Sequence, residues 1–245
     1  MQVDSLDSQL PILNAFSSWT KSGLDRTADL MGSLINFPLE HSNTEIRLIP
    51  TDRLVEDIGI SGKSYYPYDC FIQSIDGSIQ GFFLFTGSSE NISIFVEYLK
   101  KSFIDGNCNM YIDERSVIQE WTNIFSGNML SEIDSTGQSK SWLSIPEDTY
   151  DMYGSVLSFI ASQMSLETDL VLTCFSTLSS IQKNTESLEN KSKENGIKSS
   201  NKGSNKETAS LDFWFIANPN SEIFQTLASN KVSKLNKLIY SGEEA

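Results

Sequence analysis

The chain has 245 residues, 39% apolar and 11% aromatic, which is enough for one sizeable core and too apolar for a disordered chain. Its formal net charge is −14, and positions 181–210 carry six Lys against four Glu, a net of +2, so the remainder carries −16. An acidic surface repels phosphate backbones and anionic lipid. We therefore expect no nucleic-acid or membrane partner and favour another protein as the partner.

Neither targeting nor metal chemistry is indicated by the residue pattern. Apolar runs are far shorter than the ~20 residues of a membrane span, and Met1 to Ser5 lacks the basic start of a signal peptide, so a cytoplasmic protein is predicted. Cys70, Cys108 and Cys174 form no CxxC pair, and His41 is the single histidine. We expect no metal or cofactor of its own and assign His41 no catalytic role.

The first half reads as helix, strand, hairpin and helix. After the first helix, a strand phrase ends at Pro50. Two strand-like runs, Asp69 to Ile75 and Ser78 to Leu84, flank Asp76-Gly77, a dipeptide that supplies the positive φ angles of a tight hairpin turn. Apolar residues at spacings of three and four then predict a helix over Asn91 to Phe103.

The second half repeats this order with an insertion. Leu170 to Leu178 and Leu211 to Ala217 are rich in β-branched and aromatic residues and are predicted strands, and Ser221 to Leu238 is a predicted closing helix. Residues 181–210 are polar and rich in Ser, Asn and Lys, which predicts a mobile loop. A linker between two domains is the competing interpretation, but the residues after it are too few for an independent core.

The most informative stretch, Glu120 to Gly127, predicts a helix with two different faces. At roughly 100° per residue, five polar or small positions fall within a strip about 80° wide: Ser116, Glu120, Asn123, Gly127 and Ser131. The opposite face is apolar and comprises Ile118, Trp121, Phe125, Met129 and Ile133. We expect the strip to face solvent, with Gly127 leaving room for another molecule to approach. Glu and Asn on a solvated helix usually have no function, so spacing alone assigns none.

A weak internal duplication indicates the architecture. Gly32 and Pro50 match Gly127 and Pro146, and the aromatic strands are followed by similar turns in both halves. The simplest architecture is a single α/β domain over 1–245 with pseudo-twofold symmetry. Its two pseudo-repeats are predicted at about 12–107 and 108–245, with 181–210 as an inserted loop.

The duplication also assigns each position of the polar strip a counterpart in the first helix. It places Asp25 opposite Glu120 and Ala28 opposite Asn123, which predicts a degenerate first site. An alternative alignment of the first helix places Ser18 and Lys21 at these positions. In either alignment the first half lacks the asparagine.

These motifs resemble those of the CheC/CheX/FliY family of chemotaxis phosphatases. Glu120, Asn123, Ile124 and Gly127 fit the family's Glu-x-x-Asn-Ile-x-x-Gly helix, and Pro146 fits the proline that ends a strand some twenty residues later. The resemblance covers most of the chain. It implies a duplicated α/β fold in which a central, mainly antiparallel sheet packs against long helices.

What the resemblance implies for function is dephosphorylation of a CheY-type response regulator that carries phosphate on an aspartate. Glu120 would pair with the regulator's lysine, and Asn123 would orient the attacking water, with Ser116, Gly127 and Ser131 contributing to partner binding. The Mg²⁺ used would be the regulator's own, and a CheD-like protein is left open as a second partner. The alternatives are a non-catalytic scaffold or flagellar-motor switch component of the same fold, and an unrelated acidic interaction protein.

Overall fold

The computed structural model describes residues 6–34, 38–58, 66–103, 113–180 and 209–226. The helices are α1 (Leu6–Leu34), α2 (Leu54–Ile58), α3 (Ser89–Phe103), α4 (Glu114–Gly137) and α5 (Tyr153–Met164), and a 3-10 turn covers Thr51–Arg53. The strands are β1 (Leu39–Pro50), β2 (Pro67–Gly77), β3 (Gly81–Gly87), β4 (Ser141–Leu143), β5 (Glu147–Met152), β6 (Leu170–Ser180) and β7 (Ser210–Ala217). Within these ranges, no helix is long and apolar enough to cross a membrane.

Two of the predicted segments lie partly outside the described residues. Of the predicted loop over 181–210, positions 181–208 are outside them, while Ala209 is buried and Ser210 begins β7. Of the predicted closing helix over Ser221 to Leu238, residues 222–226 are helical and positions 227–238 are outside the described ranges.

The strands form one seven-stranded sheet in the order β1-β6-β7-β3-β2-β4, with β5 also paired to β2. The pairings are antiparallel, and β3 lies beside β7 at the centre. In each half, an edge strand pairs with the hairpin of the other half. Strand β1 pairs with β6 of the second half, and β4 and β5 pair with β2 of the first. The α/β fold with a mainly antiparallel sheet is therefore confirmed, and its strand order has the predicted twofold character.

Both faces of the central strands are buried because helices cover each of them. Side chains alternate along a strand, so Phe83 and Phe85 join the core under α1, α3 and α4, while Leu84 joins the core under α2 and α5. The same alternation separates Phe215 from Trp214 in β7. A strand buried on two faces needs a continuous apolar run, which is what these central strands have.

The predicted turn at Asp76-Gly77 is wrong in its position. Gly77 is the last residue of β2 and pairs with Ser141 of β4, and residues 78–80 make the connection to β3. The reason is tertiary, because β4 lies along β2 and keeps Gly77 in the sheet. Gly77 does have a positive φ of 107°, and an added Cβ would lie 2.7 Å from the Lys140 main-chain oxygen.

Helix α4 is attached to the edge of the sheet near both ends. Near its start, Arg115 Nη1 lies 2.6 Å from Asp148 Oδ2, and Gln119 Nε2 donates to Asp148 Oδ1 at 2.7 Å. Near its end, Asp134 Oδ2 accepts from the Ser141 main-chain N–H at 2.7 Å. These contacts connect α4 with β5 and β4, the strands that cover the outer edge of β2.

Replacing Gly77 with alanine is expected to lower the free energy of unfolding by about 1–3 kcal/mol, because the positive φ and the nearby carbonyl both oppose a Cβ. Gly127→Ala is the control, since its added Cβ has no atom within 4 Å and the helical site favours Ala by up to about 1 kcal/mol. Urea unfolding of both variants measures the difference. Equal stability of the two variants would contradict the assigned backbone conformation.

Replacing Asp148 with alanine removes the acceptor shared by Arg115 and Gln119 and is expected to cost about 1–3 kcal/mol of unfolding free energy. Glu147→Ala is the matched control, because Glu147 is the exposed neighbour on the same strand. Thermal unfolding checks the pair. A loss of stability in the Glu147 variant as large as that in the Asp148 variant would refute the attachment.

Candidate functional site

The described α4 has the two predicted faces. Its apolar face is confirmed as buried, namely Ile118, Trp121, Phe125, Met129 and Ile133. On the other side Ser116, Glu120, Asn123 and Ser131 are exposed and Gly127 is half-buried. A Cβ added at Gly127 would meet open space, so the surface beyond Asn123 is clear. Glu120 and Asn123 thus lie together on an accessible helix surface.

Asp113 caps the start of the helix. Asp113 Oδ2 accepts from the Ser116 main-chain N–H and from its Oγ, both at 3.1 Å. A side-chain acceptor at this position satisfies an N–H that has no partner within the helix. Glu120, by contrast, has no ion-pair partner among the described residues, so its carboxylate is available. Partner binding by Ser116, Gly127 and Ser131 stays a prediction.

Asn123 is hydrogen-bonded to a buried glutamine of the sheet. Gln73 Nε2 donates to Asn123 Oδ1 at 3.3 Å and to the Ser144 main-chain oxygen at 3.1 Å. Gln73 is 1% exposed. It lies on the α4-facing side of β2, the same face as Phe71 and Ile75, because side chains two residues apart in a strand share a face. Gln73 was not among the site residues predicted from the sequence. A polar residue at an inward position of the run Asp69 to Ile75 was the available signal.

The Ser144 carbonyl, which accepts from Gln73, lies in a break between two edge strands of the sheet. Residues 144–146 separate β4 from β5, although both strands pair with β2. Ser144 fixes the interruption, since its N–H donates to the Ser74 oxygen at 3.0 Å and its Oγ accepts from the Ser74 N–H at 2.9 Å. The next residue, Ile145, is 85% exposed. The interruption therefore places a fixed carbonyl and an apolar side chain beside the site.

The same arrangement recurs where β1 of the first half pairs with β6 of the second. Strand β1 has a register irregularity between Ser42 and Glu45, at the opposite edge of the sheet. Ser176 of β6, which is fully buried, donates through Oγ to the Ser42 main-chain oxygen at 3.1 Å. Ser42 and Ser176 are thus the counterparts of Ser144 and Gln73.

The helices align in the same register as these strands. Trp19 and Thr20 are buried in α1 as Trp121 and Thr122 are in α4, and 102 residue numbers separate each pair, as they separate Ser42 from Ser144. Seven buried positions of α1 correspond in this way to seven of α4. They are 16, 19, 20, 23, 24, 27 and 31, against 118, 121, 122, 125, 126, 129 and 133.

This register favours the alternative alignment, with Ser18 opposite Glu120 and Lys21 opposite Asn123. Both first-half residues are exposed. Burial raises the pKa of the Cys174 thiol to about 12, and the positive charge of Lys21 acts against that rise. The signal in the sequence was the Trp-Thr pair that the two helices share.

The residues that the first alignment placed in a degenerate site have other surroundings. Asp25 Oδ1 lies 2.7 Å from His41 Nε2, and Ala28 is half-buried against the core. That alignment would also set the exposed Arg26 opposite the buried Trp121. The two alignments differ by seven residues, nearly two helical turns, so apolar periodicity alone does not separate them.

No metal-binding group is apparent in the described ranges, where no three His, Cys, Asp or Glu side chains come together. Burial raises the pKa of Cys70 to about 12, as it does for Cys174, which keeps both thiols neutral near pH 7. The groups on the exposed strip of α4 are thus a carboxylate and a carboxamide. Such groups can pair with a cation and orient a polar atom of a bound molecule.

Comparison with known proteins identifies the fold. No protein-family model and no curated protein matches the sequence. Among solved structures, Thermotoga maritima FliY is similar with a TM-score of 0.54 at 10% identity, covering 94% of this chain and 100% of FliY. CheX from Desulfovibrio desulfuricans has a TM-score of 0.44 at 9% identity, covering 82% of this chain and 99% of CheX. The FliM middle domain from H. pylori has a TM-score of 0.46 at 9% identity, covering 92% of this chain and 98% of the domain.

The FliY similarity exceeds a TM-score of 0.5 and extends over both halves. The chain therefore has the fold of the CheC/CheX/FliY family of chemotaxis proteins.

Proposed function

We propose that the protein is a phosphatase that removes the phosphoryl group from the aspartate of a CheY-type response regulator. The observation that carries the proposal is the joint exposure of Glu120 and Asn123 on α4, with the Asn123 carboxamide held from below by Gln73. The Glu-x-x-Asn-Ile-x-x-Gly motif and the fold agree with this assignment.

The proposed step is direct hydrolysis of an acyl phosphate. The oxygen of a water molecule bonds to phosphorus, and the bond from phosphorus to the aspartyl oxygen breaks, with its electron pair leaving on the carboxylate. One water proton stays on the transferred oxygen, and the other passes to a phosphoryl oxygen or to bulk water. Phosphoryl transfer depends mainly on position and charge stabilisation, so an oriented water is sufficient and no covalent intermediate on this protein is needed. The regulator's own Mg²⁺ would neutralise charge on the phosphoryl oxygens.

Asn123 is the residue proposed to orient the water. Its carboxamide has both donors and acceptors, and Oδ1 retains a second lone pair beyond the bond from Gln73. Among the described residues, no protein acceptor is bonded to its Nδ2 group. Both ends of the amide are therefore available to water and to phosphoryl oxygens.

Glu120 is proposed to dock the regulator through a lysine at its phosphorylation site. The carboxylate is exposed, lies one turn from Asn123 and has no ion-pair partner in the described part of the chain. A lysine drawn to it would bring the phosphoaspartate against the helix. The exposed Ile145, beside the carbonyl that holds Gln73, adds apolar surface to the same region.

A binding module without catalysis is the second candidate. The observation in its favour is the equivalent site around α1 and β1. It has the helix, an irregular edge strand and the buried Ser176 hydroxyl of β6, but it carries Lys21 where α4 has Asn123. A pure scaffold has no need for the exposed amide, so Asn123 favours the enzyme.

Replacing Asn123 with alanine is expected to lower the rate of regulator dephosphorylation by about 100-fold while leaving the affinity for the regulator nearly unchanged, since the amide acts on the transition state. Glu120→Lys is expected to weaken both binding and turnover, because it opposes the regulator's lysine. Ser158→Ala is the control, because Ser158 is exposed on α5, which covers the opposite face of the sheet. Phosphate release and binding titrations measure the effects. Wild-type phosphatase rates in the Asn123 variant would exclude the proposed mechanism, and binding without any acceleration by the wild type would favour the scaffold.

Attraction between the acidic surface and the regulator's lysine predicts a decrease in kcat/KM as salt rises from 50 to 500 mM, with kcat at saturating regulator nearly constant. The Debye length shortens from roughly 14 Å to about 4 Å over this range, which screens long-range steering. Steady-state phosphate release at several NaCl concentrations tests this. A kcat/KM independent of salt would argue against electrostatic docking.

A further inference from the structure

We propose that Gln73 is a positioning residue that fixes the orientation of the Asn123 carboxamide, with the Ser144 carbonyl as its reference point. The inference rests on the proposed function for its catalytic consequence, but the contact itself is a property of the free protein. Gln73 is buried under α4 and does not reach the surface where a regulator would dock.

The two hydrogen bonds of Gln73 Nε2 determine the orientation of the Gln73 amide first and then that of the Asn123 amide. A main-chain oxygen only accepts, so the Gln73 atom 3.1 Å from the Ser144 oxygen must be the amino group Nε2. Because that same Nε2 is 3.3 Å from Asn123, the Asn123 atom facing it must be the acceptor Oδ1. The Asn123 amino group is therefore the end of the amide that Gln73 does not hold.

The surroundings of Gln73 Oε1 indicate that the contact between Gln73 and Asn123 serves a function. Gln73 Oε1 is buried and, among the described residues, has no hydrogen-bond partner. A buried acceptor without a partner is destabilising. If the only task of position 73 were to satisfy the Ser144 carbonyl, a side chain without this second polar atom would perform it at lower cost.

The equivalent site, where β1 of the first half pairs with β6 of the second, shows that such a solution exists. Ser176 donates to the Ser42 carbonyl, the counterpart of the Ser144 carbonyl, and its oxygen lies 3.2 Å from Thr44 Oγ1, so the hydroxyl has partners on both sides. Its short side chain satisfies the irregular edge strand, and its bonds in the described structure go to β1 rather than to the helix. The longer glutamine side chain supplies a donor that reaches Asn123 on α4.

Fixing Asn123 in the free protein has a kinetic consequence. An exposed asparagine otherwise samples several rotamers and both amide orientations, and ordering it in the transition state costs entropy. Gln73 removes part of that cost in advance. Its loss should therefore lower turnover more than it weakens binding of the regulator.

The variant Gln73→Ser copies Ser176 of the equivalent site, retaining a hydroxyl for the strand while losing the donor to Asn123. We expect kcat for regulator dephosphorylation to fall about tenfold, KM to stay within twofold, and the urea unfolding midpoint to remain close to that of the wild type. Ser176→Ala is the matched control, because it removes the equivalent strand contact at a distance from Asn123. In an Asn123→Ala background, Gln73→Ser should have no further effect on turnover.

Side-chain amide NMR of the free protein gives a readout that needs no regulator. The Asn123 Nδ2 group should be ordered on the nanosecond timescale in the wild type and in Ser176→Ala, and its order parameter should fall in Gln73→Ser. If Gln73→Ser fails to fold, Gln73→Met, which keeps length and apolar volume, takes its place in both measurements.

The outcomes separate the two proposals. An equally ordered Asn123 in the Gln73 variant, or unchanged kcat in that variant while Asn123→Ala abolishes turnover, would overturn the positioning role and leave the phosphatase assignment intact. Wild-type turnover in Asn123→Ala would overturn the phosphatase mechanism and with it the catalytic consequence proposed for Gln73.

Discussion

The packing of Trp121 and Phe125 onto the sheet fixes the rotation of α4, and the rest of the site depends on that rotation. Phe85 contacts Trp121 at a centroid distance of 5.8 Å and Phe125 at 5.4 Å, both edge to face, and Phe125 also packs on Phe213 at 5.4 Å. Rotating the helix would expose these rings, each of which contributes a large apolar area. The burial of one face therefore determines that Glu120 and Asn123 face outward.

The two halves of the protein share a frame. Each contributes a helix with a buried Trp-Thr pair and an irregular edge of the sheet, whose carbonyl accepts from an inward polar residue on a strand of the other half. Beside α1 that residue is Ser176, and the helix presents Lys21. Beside α4 it is Gln73, and the helix presents Asn123. Among the described residues, a hydrogen bond from this strand position to the helix occurs only between Gln73 and Asn123.

Much of the fold follows from local pattern in the sequence, but the register of the duplication does not. Alternation and aromatic content were enough to identify β6 and β7, and helical spacing identified both faces of α4. The burial of Trp19 favours one of the two alignments of α1, which differ by seven residues. The turn near Gly77 was misplaced because β4, distant in the chain, extends β2. Gln73 was missed because its partner carbonyl arises from a strand interruption that only the assembled sheet contains.

The central claim is that the exposed strip of α4 enters the phosphorylation site of a response regulator. It is tested most directly by a crystal structure of this protein with a CheY-type regulator whose aspartate carries beryllofluoride in place of phosphate. The account predicts that Glu120 lies within ion-pair distance of the regulator's lysine and that the Asn123 carboxamide reaches the beryllofluoride directly or through one water. A complex in which that strip of α4 remains in solvent, with the regulator bound elsewhere, would contradict the account.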